Sequence, residues 1–252
     1  MRRRSAALLA SGALAVGALV LPSIQEHASH GNVRILGVSV NEGNPVVLGP
    51  KGSSDIFFSI TAEDDSGIRS VDQVGLWGPN ISVLPASSTH CVAQTAKISV
   101  CSGTASVDVA KKQIFDDNAG QWYVQATVHA HDGDELTEDK AGKFSIKKDG
   151  QLIEYGALNT ARKGSMITIG GQFKQPQWDT GSWQPSANQR ITVQFCAKPC
   201  THATTIATEV TDAYGMIAAK VRATVTGQYT LIYAGKFWAE PVQSNPAQVI
   251  VS

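Results

Sequence analysis

The stretch from Ile206 to Gly235 constrains the fold most strongly. Its apolar residues occupy every second position of one segment: Ile217, Ala219, Val221, Ala223 and Val225. A period of two places one face of a β-strand toward a core and the other toward solvent. Turn residues at Asp212–Gly215 and Thr226–Gly227 divide the stretch into three short strands. The pattern predicts one half of an antiparallel β-sandwich.

Residues 1–28 have the three parts of an export signal. Arg2–Arg4 are basic, Ala6–Leu21 are apolar and mostly small, and a polar segment follows. We expect cleavage near Ala28 and a secreted or extracellular protein with no membrane contact afterwards. An uncleaved membrane anchor is the alternative. Cleavage removes three arginines and one glutamate, so the formal net charge falls from 0 to −2. A mildly acidic protein gives no electrostatic reason to expect nucleic acid as a partner.

Four cysteines predict two local disulfides. Cys91 and Cys101 lie close in sequence, as do Cys196 and Cys200, and about a hundred residues separate the pairs. An even number of cysteines outside the cytosol favours disulfide bonds. The spacing in CAKPC leaves a redox pair or a zinc site as alternatives, with His202 as the only nearby further ligand.

Strand signals separated by Gly, Pro, Asn and Asp predict two domains in tandem. We place them at residues 32–147 and 152–252. The short linker at Lys147–Gly150 predicts that the domains touch or are restricted in orientation. No segment shows a helical stripe of useful length. The predicted fold class is all-β, with two antiparallel β-sandwich domains, the first of about seven strands.

Several segments resemble immunoglobulin-like modules of secreted actinobacterial proteins. In the second domain these are the turn at Thr211–Gly215 and the segment Val221–Gly235. In the first they are Ala62–Val71 and Gly120–Ile146. The whole chain resembles a group of secreted actinobacterial proteins with two such modules, some of which are described as calcium-binding. The resemblance implies two immunoglobulin-like antiparallel β-sandwich domains in tandem, and it does not imply a particular ligand.

Two acidic loops are the candidate metal site. In an immunoglobulin topology the loop after the second strand and the loop between the last two strands lie at the same end. The first carries Asp64 and Asp65. The second is expected to carry Asp132, Asp134, Glu135, Glu138 and Asp139. Carboxylates from two loops are suitable ligands for calcium. We predict Asp64, Asp65, Asp132 and Asp134 as its ligands, the alternative being a solvated acidic tip. Outward-facing His129 and His131 could bind zinc or copper, or form part of an ordinary polar face.

Loop aromatics of the second domain are the candidate ligand-binding surface. Trp178 and Trp183 lie in a segment rich in Gly, Pro and Gln, and Trp238 lies in the last loop. Exposed loop aromatics often contact sugars or proteins. The alternative is that they pack over the open end of the sandwich.

These features predict a non-catalytic interaction or spacer protein of the cell envelope or exterior, with calcium as the only expected cofactor. The expected partner is a protein or polysaccharide at the cell surface. A carbohydrate- or cell-wall-binding module that uses the domain 2 aromatics is the second hypothesis. We do not expect an enzyme, because the sequence has no G-x-S-x-G motif and no Ser, His and Asp that can be assigned to one site.

Overall fold

The computed structural model describes residues 29–155 and 159–252, so the expected export signal lies outside the described residues. These residues form an all-β structure of two antiparallel immunoglobulin-like sandwiches, which confirms the predicted fold class. The two sandwiches have separate hydrophobic cores.

The first sandwich contains ten strands. They are β1 (Ser29–His30), β2 (Arg34–Val40), β3 (Val46–Leu48), β4 (Ser53–Glu63), β5 (Ile68–Gly78), β6 (Ser82–Pro85), β7 (His90–Ala93), β8 (Ile98–Asp108), β9 (Gly120–Ala130) and β10 (Glu135–Lys148). Three 3₁₀ turns lie between them, at Asn41–Gly43, Pro79–Ile81 and Asp116–Asn118. One sheet has the order β2-β4-β8-β7. The other has the order β1-β10-β9-β5-β6, and β3 pairs in parallel with the last residues of β10. These are the two sheets of an immunoglobulin-like topology.

Strand β9 shows why this sequence forms a sandwich. Its apolar residues alternate along the strand, and all are fully buried: Trp122, Val124, Ala126, Val128 and Ala130. Intervening residues such as Tyr123 and Gln125 lie on the outer face and are partly exposed. The period-two pattern thus sets which side of the sheet faces the core.

The second sandwich contains the other ten strands. They are β11 (Gln151–Tyr155), β12 (Thr160–Ala161), β13 (Met166–Gln177), β14 (Ser182–Pro185), β15 (Arg190–Ala197), β16 (Thr204–Val210), β17 (Met216–Arg222), β18 (Gly227–Tyr233), β19 (Val242–Gln243) and β20 (Ala247–Val251). One sheet has the order β12-β20-β18-β15-β16, with β19 on β18. In the other, β13 pairs with β11, with β14 and with β17.

The alternating segment of the second sandwich is a strand, as predicted, but a shorter one. Ile217, Ala219 and Val221 are buried along β17. Val225 is exposed because the strand ends at Arg222. Its inclusion in the apolar face was therefore wrong.

Both predicted disulfides are present. Cys91–Cys101 links β7 to β8, where the two residues are directly paired across the strands. Cys196–Cys200 closes a loop at the end of β15. The described residues contain no free cysteine. No helix in the described residues is long and apolar enough to cross a membrane.

Candidate functional site

The two acidic loops meet at one end of the first sandwich. Asp64 follows β4, while Asp132 and Asp134 lie between β9 and β10. Each of these three residues offers a carboxylate oxygen, and the three oxygens lie within 4.8 Å of one another. Asp65, the fourth predicted ligand, is exposed and does not belong to this group. We call Asp64, Asp132 and Asp134 the acidic cluster.

Three carboxylates assigned to the second loop lie elsewhere. Glu135, Glu138 and Asp139 belong to β10, which begins earlier than the sequence suggested. The β-bulge between Glu138 and Gly142 interrupts the pairing with β9, so the apolar alternation breaks there. That break made the first part of the strand resemble a loop.

Asp64 is the unusual member of the acidic cluster, because it is only 1% exposed. Its Oδ1 accepts hydrogen bonds from the backbone N–H and the hydroxyl of Ser66, at 2.8 and 2.6 Å. Its Oδ2 is buried and has no hydrogen-bond partner among the described residues. A buried carboxylate oxygen without a partner costs free energy, since it has lost its water and gained nothing in exchange.

Ser66 connects the two loops, and the sequence analysis missed it. Its hydroxyl oxygen accepts a hydrogen bond from the backbone N–H of Asp132 at 3.2 Å, and the hydroxyl donates a hydrogen bond to Asp64 Oδ1. The signal for this role is present in Asp64-Asp65-Ser66-Gly67. An Asp side chain commonly accepts from the backbone two residues later, and Gly67 adopts a φ of +83° in the turn. Ser66 therefore positions Asp64 against the second loop.

The chemistry of the acidic cluster suits a hard cation. Calcium binds carboxylate oxygens at about 2.3–2.6 Å, so two of its ligands lie at most about 5 Å apart. The 4.8 Å limit on the cluster oxygens meets this condition. Three carboxylates this close repel one another, and a divalent cation would neutralise most of that charge.

A groove of about 530 Å³ opens beside Asp64. Its lining includes the chain segment before β2 on one side and Glu63–Asp65 on the other. Arg34 also lines the groove, but its guanidinium is 2.7 Å from the Glu63 carboxylate. That arginine is therefore already paired with a carboxylate outside the acidic cluster.

His129, on β9, and His131, just after it, do not form a joint metal site. His129 has one ring nitrogen 3.1 Å from Asp72 and the other 3.1 Å from Glu135. Both nitrogens are thus engaged by carboxylates on the neighbouring strands. His131 is exposed beyond the end of the strand. The ordinary polar face, which the sequence left open, is the better description.

Trp178 lies at the opposite end of the first sandwich, and its predicted place in an exposed ligand-binding surface was wrong. It lies in the turn between β13 and β14 of the second sandwich, yet it is fully buried and belongs to the core of the first. Its indole N–H donates to the backbone oxygen of Leu48 at 3.3 Å. Trp178 therefore joins the two domains and is not part of an exposed ligand-binding surface.

Polar contacts fix the indole in place. The Asp116 carboxylate accepts hydrogen bonds from the Trp178 backbone N–H at 2.7 Å and from the Lys148 ammonium at 2.6 Å. Lys148 also lies over the indole ring, 5.5 Å from its centroid. Lys112 donates to the backbone oxygens of Trp178 and Asp179. The β13–β14 hairpin is thus held to the first sandwich through the Trp178 side chain and through the backbone of the turn.

The predicted linker contacts both sandwiches. The Lys148 backbone N–H donates to the oxygen of Trp238, and its oxygen accepts from the N–H of Glu240, both at 2.9 Å. The next residue, Asp149, donates its N–H to Leu48. The Lys147 ammonium is 3.2 Å from the Glu240 carboxylate. Because these bonds use the linker backbone, little slack remains between the domains.

The other two predicted ligand-binding tryptophans are partly buried. Trp183 lies on β14, with its ring beside Gly49 of the first sandwich. Trp238 packs against the second core, and the Lys236 ammonium lies 5.3 Å above its ring. Phe237 is the aromatic residue of this loop that is most open to solvent, with 75% of its surface exposed. The three tryptophans therefore do not form one open aromatic surface.

No family model matches the chain, and no curated protein sequence does. Solved structures give distant likenesses. A DUF4785 family protein from Legionella pneumophila is 14% identical, with a TM-score of 0.39, over 84% of this chain and 56% of that one. Fibronectin(III)-like modules of Clostridium thermocellum CbhA are 14% identical, with a TM-score of 0.34, over 85% and 92%. The D0–D1 domain of intimin is 14% identical, with a TM-score of 0.30, over 86% and 98%.

Proposed function

We propose that this chain is an exported, non-catalytic spacer or interaction module that holds two immunoglobulin-like domains in one fixed orientation at the cell envelope or exterior. The observation that carries the proposal is the complete burial of Trp178, a residue of the second domain, in the core of the first. An indole buried in this way must leave the core for the domains to reorient. Domains joined only by a flexible linker would carry no such constraint.

The direction of β4 supports a spacing role. We call the contacts around Trp178 that join the two domains the junction. Strand β4 begins near the junction and ends at Glu63, directly before the acidic cluster. Eleven residues of extended chain span roughly 35 Å. The acidic cluster is thus at the end of the first sandwich that lies away from the second, which leaves that end for a protein or polysaccharide partner.

The two disulfides support export. Such bonds persist in oxidising surroundings outside the cytosol, and all four cysteines form them here. They agree with the export signal expected in residues 1–28.

Amide ¹⁵N relaxation tests the fixed orientation in the intact protein. We expect the two sandwiches to tumble with one rotational correlation time, since the junction joins them into a single body. Small-angle X-ray scattering should agree with one elongated shape. Two clearly different correlation times would contradict a fixed spacer and would favour independent modules on a hinge.

We further propose that the acidic cluster binds calcium and that the ion stabilises the far end of the first sandwich. The support is the unpaired, buried Oδ2 of Asp64 together with the approach of Asp132 and Asp134. A bound cation would give the buried Asp64 oxygen the partner that it lacks. Water and backbone oxygens from the groove would complete the six to eight ligands that calcium takes.

Thermal unfolding in EDTA, in millimolar magnesium and in millimolar calcium tests this site. Calcium at one hundred times its dissociation constant stabilises a fold by about 2.7 kcal/mol, which raises Tm by several degrees in a domain of this size. We expect the rise with calcium and a much smaller one with magnesium, which demands stricter octahedral geometry. Equal Tm values in all three solutions would contradict the calcium site.

A further inference from the structure

The segment before β2 lies directly against the acidic cluster. Ser29 and His30 form β1, which pairs with the start of β10. Val33 then enters the core with 5% exposure. We call residues 29–32 the N-terminal clasp. It lines the groove beside Asp64, so it forms one wall of the proposed calcium site.

The clasp holds Asp134 through its backbone. The N–H of Asn32 donates to Asp134 Oδ2 at 2.7 Å. The ring of His30 is 3.6 Å from Oδ1 of the same carboxylate, but its side chain is mostly exposed. One oxygen of Asp134 therefore accepts a hydrogen bond from the clasp backbone, and the other lies beside the exposed His30 ring.

Gly31 allows this close approach. It has a φ of +88°, and a Cβ built at this position would lie 1.7 Å from Cγ of Asp134. A side chain cannot fit there unless the clasp or the carboxylate moves. Asp134 thus belongs to the acidic cluster and is also the residue that the clasp contacts.

We infer that the N-terminal clasp and the cation-binding cluster are coupled, so that calcium fixes the clasp against Asp134 and the docked clasp raises the affinity for calcium. This inference rests on the proposed calcium site. The clasp holds Asp134 close to Asp64 and Asp132, and mutual repulsion of the three carboxylates makes that position costly when no cation is bound. A bound cation offsets the repulsion, so the docked clasp and the ion favour the same position of Asp134. Coupling between two binding events is reciprocal, and it commonly amounts to between five- and 150-fold in affinity.

The test combines calorimetric titration of the protein with calcium and hydrogen exchange of the clasp amides. In the wild-type protein we expect calcium to slow exchange at the Asn32 amide. Gly31→Ala should weaken calcium binding by about tenfold or more, within the range typical of coupled sites. It should also remove the calcium-dependent protection of the clasp.

Gly164→Ala is the matched control. Gly164 has a φ of +82°, close to that of Gly31, but a Cβ there has nothing within 4 Å. Both variants therefore place an alanine at a similar positive φ, and only Gly31→Ala carries the collision with Asp134. The Gly164→Ala protein should bind calcium as the wild type does. Matching far-UV circular dichroism spectra in EDTA would show that both variants fold.

The outcomes separate the two proposals. Wild-type binding that Gly31→Ala leaves unchanged, with no calcium effect on exchange in the clasp, would overturn the coupling and leave the calcium site standing. Absence of calcium binding in the wild type would overturn the site itself, and the coupling with it. Equal weakening by Gly31→Ala and Gly164→Ala would assign the effect to general backbone strain and would also overturn the coupling.

Discussion

Replacing Trp178 with alanine is expected to separate the motions of the two domains. The indole is fully buried in the core of the neighbouring domain, and truncating a tryptophan in such a position commonly costs about 3–5 kcal/mol. It also leaves the Leu48 oxygen without its indole donor and Lys148 without the ring beneath it. We expect two rotational correlation times in ¹⁵N relaxation where the wild type has one. We also expect a thermal transition of the first sandwich at lower temperature.

Trp183→Ala controls for the loss of a tryptophan from the same hairpin. Trp183 is only partly buried and lies beside Gly49 at the edge of the junction. Its removal should lower the free energy of unfolding by less than half as much and keep the common tumbling. If Trp178→Ala tumbled as one body, the junction would depend on its backbone contacts, and the indole would not be the anchor.

Local pattern was sufficient to predict the sandwiches and the approach of the acidic loops. The alternation in β9 and β17 reports burial directly, because side chains of a strand point to opposite faces in turn. The approach of Asp64 to Asp132 follows from topology, since both loops lie at the same end of an immunoglobulin-like sandwich. These predictions needed no knowledge of individual contacts.

Contacts between distant segments could not be predicted from the sequence. Trp178 contacts Leu48, which is 130 residues earlier, and nothing beside Trp178 indicates a core contributed by another domain. A Gly- and Pro-rich neighbourhood suggested an exposed loop, whereas it forms the tight turn that carries the indole outward. The same limit applies to Gly31, whose importance depends on a carboxylate about a hundred residues later. Asp65 was included because it adjoins Asp64, yet adjacent side chains diverge.

Asp64→Asn is expected to reverse its effect on stability between EDTA and calcium. In EDTA the wild type bears the cost of a buried carboxylate oxygen without a partner, and of repulsion from Asp132 and Asp134. Removing that charge should leave Tm equal to or above the wild-type value. In calcium the wild type gains about 2.7 kcal/mol at one hundred times the dissociation constant. The variant should gain little, so it becomes the less stable protein by several degrees.

Asp65→Asn provides the matched control, because it removes the same charge one residue away from an exposed position outside the acidic cluster. It should show the wild-type response to calcium. This pair of variants separates a specific site from general screening of acidic loops, since screening would affect both equally. A variant with Asp64→Asn that is less stable in both solutions would show that the carboxylate serves the Ser66 turn alone. Reversal in Asp64→Asn and its absence in Asp65→Asn would identify the buried carboxylate as a ligand, because only a bound cation converts an unfavourable charge into a stabilising one.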